Sequence, residues 1–309
     1  MPQTQGQATP KRLAAAAAGG LEQRLGRARA LAAGAARARR YATRGRRWAL
    51  RALRHPRYSV SVAKTLAENP AVLSAALRSG ARRALLDRLD ATFPGPGGSF
   101  SLYEAGFWGQ VYFFDEYEIG SLGLSGSPLV LDVGGNVGFF SWRVRDCCPG
   151  ARIFAFEPEE ANFARLRQSF SALGIAGEPV RAAVGDHEGS ITLHLRNSFT
   201  HSIEPSMHPE LASGTEEVEM VTLDGFLSAR GLDGPVALVK IDVEGAEASV
   251  LAGAAKTLER TSAVVLEYHS AENLARCREL IESFGFRCRP KSYWGAGVED
   301  EGLLLCKRR

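Results

Sequence analysis

Long apolar runs are missing: no stretch reaches the ~18 consecutive apolar residues of a membrane-crossing helix, so no helical membrane span is expected. Cysteine is sparse, with five in 309 residues: Cys147, Cys148, Cys277, Cys288 and Cys306. Their odd number and the lack of a C-x-x-C spacing fit neither a disulfide framework nor a cysteine-based zinc site. Reduced thiols and a cytoplasmic location are the expectation. The Ala/Gly-rich run Leu13–Leu21 follows Lys11 and Arg12, but more arginines come after it, which argues against an export signal. Also missing are a Gly-x-Gly-x-x-Gly fingerprint, since Asn136 and Phe139 stand where glycines would be needed, and any Gly-Lys-Ser/Thr. NAD, FAD and P-loop nucleotide chemistry therefore fit badly.

A sharp charge asymmetry is present instead. Residues 1–90 hold 19 Lys+Arg against four acids, a net of +15, whereas residues 91–309 hold 19 against 30, a net of −11. Residues 1–57 form an Ala/Arg/Gly low-complexity arm with few large apolar side chains to bury, expected to be disordered or weakly helical. Its charge suits weak contact with an anionic surface; nucleic acid is not expected as a partner. Residues 58–93 are read as a helical extension, with Asn69-Pro70 as cap and first helical residue. The Pro/Gly cluster Phe93–Ser99 marks the boundary of a main domain over 100–309.

Within that domain, short apolar strands alternate with helical patterns. Strands are expected at Leu129–Val133, Ile153–Phe156, Val180–Val184, Val236–Ile241 and Ala263–Leu266, and helices at Glu160–Ala172, Ala246–Arg260 and Ala271–Phe284. This alternation predicts a doubly wound α/β fold, a mostly parallel sheet covered on both faces. Phe286–Arg289 and Leu303–Lys307 have no helix between them and should close one edge as an antiparallel C-terminal hairpin. Ser190–Leu195 and Glu217–Val221 alternate apolar and polar residues and look like additional strands.

Two segments carry chemistry. In Pro128–Trp142 a buried strand enters the turn Gly134, Gly135, Asn136, Val137, Gly138. Glycines there allow a sharp turn and close approach to a ligand, and asparagine tolerates positive φ at Asn136. Asp132, just before the turn, would repel phosphate and suits a cationic or hydroxyl-bearing ligand. Glu157 ends the next strand, where a carboxylate can accept both hydroxyls of a ribose.

The blocks VLDVGGNVGFFS, FEPEEANFARL, AAVGDHEGSITL, VTLDGFL, LVKIDVEGAEASVLAGA and VVLEYH resemble the FkbM family of S-adenosylmethionine-dependent methyltransferases, over about residues 110–309. The resemblance implies a seven-stranded Rossmann-like class I methyltransferase sheet and S-adenosyl-L-methionine as cofactor. It also implies that Asp132, Gly134, Gly135, Asn136 and Gly138 cradle the methionine part, Glu157 the ribose and Asp186 the adenine. Asp242 would stand beside the transferring methyl. The Asn/Asp-Pro-Pro-aromatic sequence of base amino methylation is absent there, so the expected acceptor is a hydroxyl on a sugar, glycan or secondary metabolite. RNA or protein methylation and a non-catalytic cofactor-binding scaffold are the alternatives. An alcohol must lose its proton, and Asp242, His269 and His201 are the candidate bases. No metal site is assigned, although Asp242, Glu244 and His269 could together hold a divalent ion.

Overall fold

The computed structural model describes residues 92–95, 98–101, 104, 107–108, 111, 115–196, 201–206, 212–292 and 301–308. The arm at 1–57, residues 58–91 of the expected helical extension, and the Asn197–Thr200 stretch lie outside the described residues.

The apolar strands stack side by side because Val, Ile, Leu and Phe at alternating positions find a hydrophobic layer on either face. The central sheet comprises β3 (Leu129–Val133), β4 (Arg152–Phe156), β5 (Gly177–Val180), β9 (Val236–Ile241), β10 (Thr261–Tyr268), β11 (Phe286–Ser292) and β12 (Gly302–Arg308). Its spatial order is β11-β12-β10-β9-β3-β4-β5, seven strands. Strands β5, β4, β3, β9 and β10 run parallel, and β12 is antiparallel to both its neighbours. The expected doubly wound sheet and C-terminal hairpin are both found.

Alternation along β3 shows how one strand serves two cores. Val130 packs with α1 (Phe139–Cys147) and α2 (Glu160–Leu173), through Phe139, Trp142, Leu166 and Phe170. Leu131 packs on the opposite face with α3 (Leu223–Ala229), α4 (Glu247–Ala252), α5 (Ala255–Glu259) and α6 (Ala271–Ser283). Fully burying a side chain of this size stabilises by roughly 1.5–3 kcal/mol, so each face contributes many such increments. Local chemistry places the helix starts: the Glu159 carboxylate accepts from the Ala161 and Asn162 amides at α2, and Ser270 Oγ accepts from Asn273 N at α6.

The chain order reverses direction between β3 and β9. From β3 it winds outward through β4 to β5, then returns to β9 and winds the other way. A crevice opens at the carboxyl ends of the strands at such a switch point.

Four sequence expectations change. The single third strand divides: β5 pairs with β4, while β6 (Ala183–Val184) joins β7 (Gly189–Leu195) and β8 (Gly214–Val221) in a separate three-stranded sheet. Pro179 lacks an amide hydrogen and is tolerated because β5 is an edge strand. The helix expected over Ala246–Arg260 breaks into α4 and α5. At the break, a Cβ on Gly253 would lie 1.9 Å from the Gly185 carbonyl oxygen, so only glycine allows this approach. The Pro/Gly cluster forms a hairpin, β1 (Thr92–Gly95) with β2 (Gly98–Ser101), rather than a bare linker. Cys288 and Cys306 are joined by a disulfide, against the expectation of five reduced thiols, while Cys147, Cys148 and Cys277 remain free. The two residues are register partners on β11 and β12, a proximity that linear spacing does not reveal.

Candidate functional site

The turn after β3 is built by backbone geometry that few residues tolerate. Gly134 has φ +79°, Asn136 +47° and Gly138 +97°, and the positive φ at Asn136 matches the sequence expectation. The Gly134 and Gly135 amides both donate to the Phe156 carbonyl, at 3.0 and 2.8 Å, pinning the turn against the end of β4. A Cβ at Gly134 would meet the Asp242 carbonyl oxygen at 1.7 Å, so the turn also presses against the end of β9.

Glu157 follows β4 and is buried. Its Oε2 accepts from the Asn136 amide at 2.8 Å and Oε1 from the Glu159 amide at 3.1 Å. Each oxygen keeps a further lone pair for an incoming donor. Burial pushes this carboxyl up to about 7, against the pull of the two amides.

These residues form one wall of a cavity of about 450 Å³, a volume typical of small-molecule sites. The same cavity is lined by Asp242 and Glu244 just beyond β9, and by Glu267 and His269 at the end of β10. His201 and Ser202, between β7 and β8, close the side. Asp132, Gly138 and Asp186 do not line it. Asp132 lies behind the turn, fully buried, with Ser141 Oγ donating to Oδ2 at 2.6 Å. The Asp186 side chain is about half exposed and contacts His187 Nδ1 at 2.8 Å. Ahead of β3, Phe107 reaches the cavity, whereas Trp108 is fully buried beside Trp142.

Three supporting contacts come from the fold and not from the sequence pattern, although Glu247 already counts there among the carboxylates expected near the acceptor. Lys240 stands opposite Asp132 in the β3–β9 register; its Nζ donates to the Gly134 carbonyl at 2.5 Å and lies 3.4 Å from Asp132 and 3.3 Å from Asp242. Burial works against its charge, but Asp242 and Asp132 outweigh burial and hold its pKa above the usual value. Glu247, fully buried, accepts from the Gly245 amide and Asn273 Nδ2, both at 3.0 Å, and lies 3.1 Å from His269 Nδ1. Ser202 Oγ donates to the Glu244 carbonyl at 2.6 Å, and Glu244 is held at φ +53°. A lysine inside the otherwise apolar strand VALVKI was the one available signal for the first of these.

The two candidate histidines differ. His269 is nearly buried; burial disfavours its charge, but Glu247, Glu244 and Glu267 prevail and raise its pKa well above the ordinary value. His201 is lowered, chiefly by burial with Arg196 adding to it, and its Nδ1 accepts from the Arg196 amide at 3.0 Å. A neutral ring bonded this way carries its proton on Nε2 and acts as a donor there.

The residues present fit S-adenosylmethionine on the structure's own terms. A glycine turn with no room for a Cβ borders the cavity, a buried carboxylate with spare lone pairs faces it, and Glu157, Asp242, Glu244 and Glu267 make it acidic enough for a sulfonium cation. Comparison with known proteins agrees. Residues 132–288 match the family model described as the methyltransferase FkbM domain. A 2-O-methyltransferase, NoeI, of Sinorhizobium fredii is 30% identical over 197 residues, spanning 57% of this chain and 79% of that protein. The 31-O-demethyl-FK506 methyltransferase FkbM of Streptomyces tacrolimicus is 30% identical over 188 residues, spanning 51% and 72%. The hexuronic acid methyltransferase AglP of Haloferax volcanii is 30% identical over 149 residues, spanning 45% and 55%. With the sheet order, the glycine turn and the buried acid after β4 all in place, the chain belongs to the FkbM family of S-adenosylmethionine-dependent methyltransferases.

Proposed function

We propose that this enzyme methylates a hydroxyl group of a sugar, glycan or secondary-metabolite acceptor. The observation that carries the reading is the placement of Asp242, Glu244 and His269 together on the cavity that the glycine turn and Glu157 also line. The names of the relatives support it: NoeI is a 2-O-methyltransferase, FkbM acts on 31-O-demethyl-FK506 and AglP on hexuronic acid.

When bound, S-adenosylmethionine supplies an electrophilic methyl on a sulfonium. Transfer breaks the S–CH₃ bond, forms O–CH₃, and leaves a neutral thioether and one proton to be removed from the hydroxyl. Glu157 holds the ribose hydroxyls, and the 134–138 turn orients the donor by close backbone approach. Lys240 fixes the Gly134 carbonyl and the Asp242 carboxylate together, so donor cradle and acceptor wall share one rigid support. The acceptor hydroxyl lies against Asp242, where its proton is drawn off, with His269 beside it on the same part of the cavity. His201, with its donor nitrogen, hydrogen-bonds an acceptor oxygen rather than taking the proton. Asp132 and Asp186 act from outside the cavity, Asp132 by holding Lys240.

Labelled methyl transfer from S-adenosylmethionine to panels of sugars, uronic acids, polyketides, RNA and protein tests the reading. Label in a base-stable ether of a small hydroxylated acceptor is expected. Label entering only RNA or protein would overturn it. Asp242→Asn is expected to slow transfer by about 10²–10⁴-fold, the range for a group acting on the transferred proton.

A further inference from the structure

We propose that Asp242, Glu244 and His269 form a binding site for one divalent cation of the manganese class, and that this ion receives the acceptor hydroxyl. One ligand atom from each residue lies within 4.8 Å of the others, and all three line the cavity. The donors sit on two adjacent strand ends: Asp242 and Glu244 follow β9, and His269 follows β10. Two carboxylates and one imidazole on one side of a metal leave the remaining positions open to water or substrate oxygen, and this donor mixture suits manganese better than zinc or calcium.

A second feature points to a ligand independently. The His269 side chain is 6% exposed, and its two nitrogens are treated differently. On one side, Nδ1 lies 3.1 Å from Glu247 Oε1, and Glu247 is in turn held by the Gly245 amide and Asn273 Nδ2. On the other, Nε2 lies 3.5 Å from Oε2 of Glu244, itself a member of the cluster. A carboxylate behind the histidine and an open face in front is the arrangement that orients an imidazole for a metal. Glu244 is also fixed through its carbonyl by Ser202 Oγ.

The ion gives the acceptor wall a chemical role that the side chains alone share poorly. Lys240 neutralises part of Asp242, and Glu247 and Glu244 both face His269. A hydroxyl coordinated to a dication loses its proton more readily. That proton passes by way of the Asp242 carboxylate to solvent, and the oxygen's electron pair forms the new O–CH₃ bond as the S–CH₃ bond breaks. The inference deepens the methyl-transfer reading and takes its purpose from it, but the site itself is detectable without any turnover.

The test titrates Mn²⁺ alone into the full-length protein, following free Mn²⁺ by electron paramagnetic resonance, with S-adenosylhomocysteine binding measured separately by calorimetry. One equivalent of Mn²⁺ should bind to the wild type. His269→Ala and Glu244→Gln should each weaken it by about 100-fold, and Glu247→Gln by about 10–100-fold as a residue acting through His269. His269→Gln serves if the alanine variant fails to fold. Each folded variant should keep S-adenosylhomocysteine affinity within about threefold. No Mn²⁺ binding by folded wild type, or equal binding by wild type and variants, overturns the metal site. Loss of S-adenosylhomocysteine binding by the wild type would instead overturn the methyltransferase reading, whatever manganese does.

Discussion

Lys240 donates from its buried ammonium to the carbonyl of Gly134, 106 residues earlier, and so ties the glycine turn after β3 to β9. Because the same ammonium compensates Asp132, Lys240→Met would strand a fully buried carboxylate with Ser141 as its hydrogen-bond donor. Removing one partner of a buried pair costs about 3–5 kcal/mol. Denaturant unfolding should show that loss, and Asp132→Asn combined with Lys240→Met should recover part of it. A single-variant loss below about 1 kcal/mol would contradict the compensation.

The ribose contact proposed for Glu157 makes donor binding depend on pH. Its carboxyl titrates near 7 in the free protein, raised by burial. Ribose hydroxyls donate to the ionised form, so binding requires the proton to leave. Affinity for S-adenosylhomocysteine should therefore be flat above pH 7 and fall about tenfold per unit below it. Calorimetry between pH 5.5 and 8.5 measures the slope. Glu157→Gln should bind weakly and lose that slope; a mutant that keeps it would place the titrating group elsewhere.

Gly134→Ala should not yield an active enzyme. The added Cβ demands about 1–3 kcal/mol for the left-handed backbone alone, and the Asp242 carbonyl oxygen sits 1.7 Å from its position. A large fall in melting temperature or loss of soluble protein is expected. Wild-type stability in this variant would mean that the turn is not seated against β9.

The Cys288–Cys306 bridge closes a loop of sequence separation 18. In the chain-entropy picture such a cross-link stabilises by about 3 kcal/mol, the adjacent strand pairing reducing the gain. The double serine variant, or the wild type under strong reductant, should melt several degrees lower. Identical melting with and without reductant would refute a structural role.

The parallel strands and the Gly134–Glu157 framework were readable in the sequence because they rest on local rules. Apolar runs, a glycine turn and a strand-end acid are all short-range signals. Asn136 shows how far such a signal goes: residue type alone gave the sign of its φ. What escaped depends on register. Lys240 becomes meaningful only opposite Asp132, Cys288 only opposite Cys306, and Glu247 only beneath His269. The division of Val180–Val184 between two sheets likewise follows from which neighbour each half finds, and no pattern within those residues encodes it.

Ser202 and His201 reach the cavity from the connection between β7 and β8, in the three-stranded sheet, whereas Asn136 and Glu157 belong to the central one. The pocket is thus assembled from two inheritances that can drift separately. A lineage could exchange the connection between β7 and β8 and acquire a new acceptor while leaving its methyl donor site untouched.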